Sequence, residues 1–329
     1  MDSRAIISAD HLTKTYRTAK KSEGVYGALR GLFHREYSTM PAVADISFEI
    51  MPAEFIGFIG PNGAGKTTTL KMLSGILWPT SGSASVLGSI PWHRKKEMQI
   101  HMGIVLGQKN QLWWDLPARD TFLLNKEIYE ISKADYKTRI HDMGETLAVS
   151  HLFDIPVRKL SLGERMKCEL VNSLLHYPSV LFLDEPTIGL DVISQKSIRD
   201  FLKQWNKDKG TTIILTSHLM DDVEELCPRI IMIHSGTLQY DGSITDLMRQ
   251  HATHKEITLT LVREVSKKSL EQYGELTSLS SVRATYRVAR EDVKDMAKKL
   301  LDALPVVDIT IEEIPLEDVI RDIFLNVKK

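Results

Sequence analysis

Cysteine is scarce: Cys168 and Cys227 are the only two in 329 residues. A disulfide framework or a cysteine-rich zinc site needs more thiols at closer spacing, so both are excluded, and this usage suits a reducing cytosol. An excess of one charge is missing too. Lys and Arg number 42 against 43 Asp and Glu, for a net charge of −1, so no global basic surplus points to nucleic acid. No run of roughly 18 consecutive apolar residues occurs, and the opening Met1-Asp2-Ser3-Arg4 leads into no secretory apolar core. The expectation is a chain that neither crosses a membrane nor carries an export leader. Fixed-period repeats and low-complexity tracts are also lacking, which sets solenoids aside. The length suffices for one large core and a smaller second domain.

The strongest positive feature is Gly60-Pro61-Asn62-Gly63-Ala64-Gly65-Lys66-Thr67, followed by Thr68. Two glycines, then Lys and Thr at this spacing, form a phosphate-cradling loop when a strand enters and a helix leaves. Both are expected. Glu54 to Ile59 is a short apolar run, and from Thr67 onward Leu70, Leu73 and Leu77 recur at helical spacing. Glycines let the loop turn its N–H groups inward at the helix N-terminus. The helix end contributes about 0.3–1 kcal/mol. A lysine ammonium about 4 Å from a phosphate charge, at an effective dielectric near 20, contributes about 4 kcal/mol before desolvation. Lys66 is therefore the expected main contact to the β and γ phosphates of ATP, with the Thr67 hydroxyl on Mg²⁺.

Elsewhere the chain alternates strand and helix. Strands are expected at Ile6 to Tyr16, Val43 to Ile50, Gly82 to Leu87, Gly103 to Leu106, Val180 to Leu183 and Thr212 to Thr216. Helices are expected at Arg94 to Glu97, Ala118 to Ile131, Lys133 to Val149, Leu160 to Leu175, Ile198 to Asn206 and Leu219 to Leu226. That order predicts a doubly wound α/β domain. The segment Arg17 to Ala42 interrupts it. Between Arg17 and Tyr37 five Lys or Arg face two Glu, and Val25, Tyr26, Leu29, Leu32 and Phe33 fall at helical spacing. A short basic amphipathic helix is expected, packing on its own domain or touching a membrane surface or membrane partner. Beyond residue 250 the pattern becomes a small α+β module: strands at Ile257 to Val262, Val282 to Val288 and Val306 to Ile311, with amphipathic helices around Val293 to Leu301 and Leu316 to Val327. It holds no clustered catalytic side chains, so its expected role is regulation or dimerisation.

The apolar run Val180 to Leu183 ends in Asp184-Glu185-Pro186. Alternating strand side chains would send one carboxylate to a metal and the next to a water. Asp184 is read as the Mg²⁺ ligand and Glu185 as the general base. Thr216-Ser217-His218 ends the next strand, and ligands gather outside the carboxyl ends of such strands.

These residues, taken in order, resemble the ATP-binding subunit of an ABC transporter over residues 1 to about 245. Tyr16 matches the aromatic residue that stacks on adenine, and Gln108 the loop glutamine that senses Mg²⁺ and the attacking water. Leu160-Ser161-Leu162-Gly163-Glu164 matches the signature motif, Gly189-Leu190-Asp191 the loop after the strand carboxylates, and His218 the switch histidine on the γ-phosphate. The resemblance implies an ABC-type P-loop fold with a helical subdomain over about 108–175. Catalytic roles fall to Glu185, His218 and Gln108, and metal binding to Thr67, Gln108 and Asp184. Nucleotide contacts fall to Tyr16, the loop from Gly60 to Thr68, Ser161, Gly163 and Asp191. It also implies two subunits, identical or paralogous, closing head to tail on two ATP, each held by one Lys66 loop and the other's Ser161 and Gly163. The expected partners are separately encoded homo- or heterodimeric transmembrane permeases, with the chain peripheral on the cytoplasmic face of the membrane. Trp113 and Trp114 are candidate permease contacts or packed aromatics.

Two positions depart from the usual signature: Leu162 and Glu164 stand where glycine and glutamine are common. A positive φ at 162 would strain leucine. Glu164 adds negative charge near a phosphate, with Arg165 and Lys167 at hand to offset it. Exporters of drugs, toxic cations and antibiotics are the nearest likeness; polysaccharide or lipid-linked glycan exporters share an extra element where Arg17 to Ala42 lies. A soluble ABC ATPase outside transport is the alternative of another class.

Overall fold

The computed structural model describes residues 4–19, 37–106 and 110–326. The chain divides into two compact units, Met1–Gly242 and Ser243–Lys329. In the first unit the strands are β1 (Ile7–Ala19), β2 (Tyr37–Ile50), β3 (Phe55–Ile59), β4 (Ser81–Val86), β5 (Met102–Leu106), β6 (Val180–Asp184), β7 (Thr212–Thr216), β8 (Arg229–His234) and β9 (Thr237–Ser243). A six-stranded sheet has the order β5-β6-β7-β3-β8-β9, and a three-stranded sheet the order β2-β1-β4.

The large sheet is parallel from β5 through β8. Its central strands are Phe-Ile-Gly-Phe-Ile, Val-Leu-Phe-Leu-Asp and Thr-Ile-Ile-Leu-Thr, almost wholly buried. Continuous apolar runs of this kind need cover on both faces. One face is covered by the small antiparallel sheet and the helix Lys66–Leu73: Ile7, Val43, Phe48, Ile56, Phe58, Leu70 and Phe182 share one apolar cluster. Because β3, β6 and β7 are adjacent and parallel, residues 60–67, 184–185 and 216–218 leave the same edge of the sheet.

Residues 17–19 and 37–42 differ from the expected insertion. Arg17 pairs with Thr39 and Tyr16 with Met40 in antiparallel register. Residues 17–19 and 37–42 therefore continue β1 and β2, where a distinct insertion was expected from Arg17 to Ala42. Cross-strand pairing there overrides the modest local strand propensity. The amphipathic helix expected around Val25 to Phe33 lies outside the described residues. The sequence reading also omitted β8 and β9, although Ile230 to Ile233 is a buried apolar run.

In the second unit, β10 (His254–Leu261), β11 (Glu275–Ser280), β12 (Arg283–Ala289) and β13 (Val306–Glu313) form an antiparallel sheet of order β11-β12-β10-β13. Ile257, Leu259, Leu261, Ala284 and Tyr286 pack there with Leu270 and Leu300. The helix Ile244–His251 belongs to this unit, whose start after Gly242 precedes the division read at residue 250. Strand β11 escaped notice because Glu-Leu-Thr-Ser-Leu-Ser has little apolar content. Among the described residues, no helix is long and apolar enough to cross a membrane.

Candidate functional site

The loop after β3 is shaped by backbone approach. A Cβ at Gly60 would lie 2.1 Å from the Ile233 carbonyl oxygen, and one at Gly65 would lie 2.4 Å from that of Ala42. Only glycine fits at either place. Gly65 also has φ 110° as it enters the helix Lys66–Leu73. The Gly236 N–H donates to the Ala64 carbonyl at 3.0 Å, fixing the loop to the turn before β9. Pro61, Asn62 and Gly63 form an exposed lip, Ala64 to Lys66 are buried, and Thr67 and Thr68 are half-buried. The Lys66 ammonium donates to the carbonyls of Gly60 at 2.6 Å and Pro61 at 3.1 Å. Burial lowers its pKa, against the opposing pull of the Glu185 and Asp184 carboxylates.

Asp184, Thr67, Thr216, Glu185 and His218 converge beside that loop. The Thr67 hydroxyl lies 3.1 Å from both Asp184 oxygens, and the Thr216 hydroxyl donates to Asp184 Oδ1 at 2.7 Å. Glu185 lies past the strand end with φ 56°. The sequence argument from strand alternation therefore needs correction: a left-handed residue, not the pleat, separates the two carboxylates. The Glu185 N–H donates to the Thr216 carbonyl at 3.0 Å, and Glu185 Oε1 lies 2.6 Å from His218 Nε2. Thr216 received no role from the sequence; its signal was a hydroxyl at the end of a wholly buried strand.

These groups suit a nucleoside triphosphate and its metal. A hydroxyl beside a carboxylate is a hard-oxygen donor pair of the kind Mg²⁺ takes. No Cβ contact lies within 4 Å at Gly63, so the lip of the loop is open on that side.

Ser161, Gly163 and Asp191 form a second group. Ser161 caps the helix Leu162–Leu174 in a capping box: its N–H donates to Glu164 Oε2 at 2.8 Å, and its hydroxyl accepts from the Glu164 N–H at 3.3 Å. Those bonds hold the Glu164 carboxyl below the usual glutamate range. Local geometry removes the strain feared at Leu162 and directs the Glu164 carboxylate onto the Ser161 N–H. Leu162 opens the helix and is not among the residues with positive φ. The Glu164 charge is turned onto Ser161, while Lys167 donates to the Leu147 carbonyl at 3.1 Å and Arg165 lies 5.8 Å over the Trp114 ring. A Cβ at Gly163 would meet Ser194 Oγ at 2.5 Å. Asp191 caps the helix Val192–Lys209, accepting from the Ser194 N–H at 2.9 Å and the Ser194 hydroxyl at 2.7 Å, which lowers its pKa.

Tyr16 lies on β1, half-exposed, with the Lys14 ammonium 5.6 Å from its ring centre. Gln108 lies outside the described residues. Just beyond it, buried Glu169 accepts from the backbone N–H of Gln111 at 2.9 Å, a contact the sequence did not suggest. Trp113 and Trp114 are both half-exposed.

The chain is similar to known proteins in sequence and in fold. Residues 43–188 match the family described as ABC transporter, and residues 253–312 match the EvrA-like ABC transporter C-terminal domain. The chain is 32% identical over 215 residues to the ABC transporter ATP-binding protein NatA of Bacillus subtilis (strain 168), covering 65% of this chain and 87% of that protein. It is 33% identical over 224 residues to the bacitracin transport ATP-binding protein BcrA of Bacillus licheniformis, covering 68% and 72%. A dimeric structure of the ATP-binding cassette MJ0796 bound to ADP and Pi shares the fold at a TM-score of 0.60 and 20% identity, covering 72% of this chain and 98% of that one. Relatives at 32% and 33% identity, matched over 87% and 72% of their lengths, make the chain a member of the ABC transporter family, an ATPase of its ATP-binding subunits.

Proposed function

We propose that this subunit hydrolyses Mg²⁺-bound ATP to power export of a drug, toxic cation or similar small molecule through separate permease subunits, as a peripheral protein on the cytoplasmic face of the membrane. The observation that carries the catalytic part is the Glu185–His218 pair at 2.6 Å beside the Thr67–Asp184 pair. In this reading the loop N–H groups and Lys66 bind the β and γ phosphates, exchanging the carbonyls of Gly60 and Pro61 for phosphate oxygens. Tyr16 stacks on the adenine. Thr67, Asp184 and Gln108 would hold Mg²⁺, whose charge would stabilise the phosphates as the leaving oxygen gains charge. Glu185 accepts the proton of the attacking water as its oxygen bonds to the γ phosphorus and the bond to the β-phosphate oxygen breaks, giving ADP and phosphate. His218 orients Glu185. Ser161, Gly163 and Asp191 of a second copy, or of a paralogue, close the site from the other side.

Support for export comes from relatives named for bacitracin transport and linearmycin resistance. A polysaccharide or lipid-linked glycan cargo is the second reading, favoured by the long antiparallel pairing of β1 with β2. The test is Glu185→Gln. It should bind ATP with unchanged affinity and hydrolyse it about 100-fold or more slowly, with closed dimers accumulating in size-exclusion chromatography. Wild-type turnover in that variant removes Glu185 from the base role.

A further inference from the structure

The Glu185–His218 pair is assembled from two different loops, one leaving β6 and one leaving β7, so something must hold those loops in register beyond the strand ends. A wholly buried carboxylate does so. Asp222, on the helix Met220–Leu226, has 0% exposure. Its Oδ2 accepts from the Ser217 hydroxyl at 2.8 Å and from the Thr187 hydroxyl. Ser217 immediately precedes His218, and Thr187 is two residues past Glu185. Its Oδ1 accepts from Arg199 Nη1 at 3.0 Å, and Arg199, also buried, donates through Nε to Glu225 at 2.9 Å. Arg199 belongs to the helix Val192–Lys209, the one that Asp191 caps. Gln195 of the same helix donates to the Leu190 carbonyl at 3.1 Å, tying it again to the loop after Glu185.

A buried ion pair is a poor device for stability alone, because well-packed apolar residues in its place are often as stable or more so. Its placement at the meeting point of the two loops that carry Glu185 and His218 and the Asp191 helix points to a geometric role. From these contacts we infer that Asp222, clamped by Arg199, is a positioning residue that sets the distance between Glu185 and His218 and joins that pair to the helix behind Asp191. Asp222 does not touch substrate; it acts through the Thr187 and Ser217 hydroxyls. This rests on the proposed roles of Glu185 and His218.

The test uses the full chain and steady-state Mg²⁺-ATP hydrolysis, with ATP affinity measured separately by a fluorescent nucleotide. Asp222→Asn should lower kcat about 10- to 100-fold while KM and ATP affinity stay within about threefold, since misplacement by an ångström is enough for losses of that order. The paired replacement D222L/R199M should recover the melting temperature of the wild type but not its kcat. Wild-type kcat in D222N, or turnover restored along with melting temperature in the apolar pair, overturns the proposal. If D222N does not fold, Thr187→Val and Ser217→Ala each remove one hydroxyl; both should melt lower for want of a donor to the buried carboxylate, yet lower kcat at temperatures where they remain fully folded, and wild-type kcat in both overturns it as well. Glu185→Gln, assayed alongside, separates the two levels: wild-type turnover there dismisses the base assignment, whereas the kcat-against-KM split of D222N is read independently.

Discussion

Two helix starts in this molecule face opposite demands and are built in opposite ways. At the phosphate loop, Gly65 stands at the cap position in a left-handed conformation, no side chain caps the helix, and no acidic residue sits in its first turn. At the signature, Ser161 and Glu164 satisfy each other's backbone N–H groups in a closed capping box. The first leaves its donors for an anion and relies on close backbone packing for shape. The second already has its Ser161 and Glu164 N–H groups bonded, so a phosphate from another subunit would have to compete for those two groups. In the proposed head-to-tail dimer, the affinity of each ATP for its own loop is built in, and the contact from the opposite subunit is conditional.

Three changes separate these two regions. The largest expected effect is at Lys66→Ala, which should weaken ATP binding on the order of 100-fold, about 2.7 kcal/mol; equilibrium binding at fixed salt checks it, and undiminished affinity would dismiss the loop as the main contact. Next is Gly65→Ala, whose Cβ would lie 2.4 Å from the Ala42 carbonyl oxygen at φ 110°. It should cost about 1–3 kcal/mol of stability and displace the loop, read by thermal melting and a parallel fall in ATP affinity. The smallest is Glu164→Ala, which opens the capping box for about 1 kcal/mol of stability and should leave ATP binding in the cis loop unchanged.

Acid adds a finer distinction at the same residue. The Glu164 carboxyl titrates below its ordinary value of 4.5 in the folded chain, so its contribution is whole above that value and fades as pH falls through the folded one. Glu164→Gln keeps the bond from the Ser161 N–H without a titrating charge. Its melting temperature should therefore depend less on pH below about 4.5 than that of the wild type; parallel melting curves from pH 6 downward would show otherwise.

The parts legible in the sequence were those with strong local signals. Glycine spacing at 60–65 announced the phosphate loop, and the buried runs of β6 and β7 announced a parallel sheet with Asp184 and His218 at one edge. What escaped depended on partners distant in sequence. Thr216, Asp222 and Arg199 gain meaning only when strands and helices up to 35 residues apart meet, as Thr187 and Asp222 do. Glu169 looked like one more helix residue until the segment after Gln108 was seen to rest on it. The continuation of β1 and β2 through Arg17 and Thr39 was hidden because Arg-Thr-Ala and Tyr-Ser-Thr-Met-Pro-Ala carry no regular apolar alternation.

The left-handed bend at Glu185 has a consequence for the order of the two carboxylates. Asp184 ends the strand within reach of Thr67 and Thr216, and Glu185, one residue on, is rotated toward His218. Chemically the two side chains differ by one methylene, yet the backbone makes them non-interchangeable: exchanging them would place the longer arm against the threonines and the shorter one out of the histidine's reach. A division of labour between near-identical acids is thus written into one φ angle.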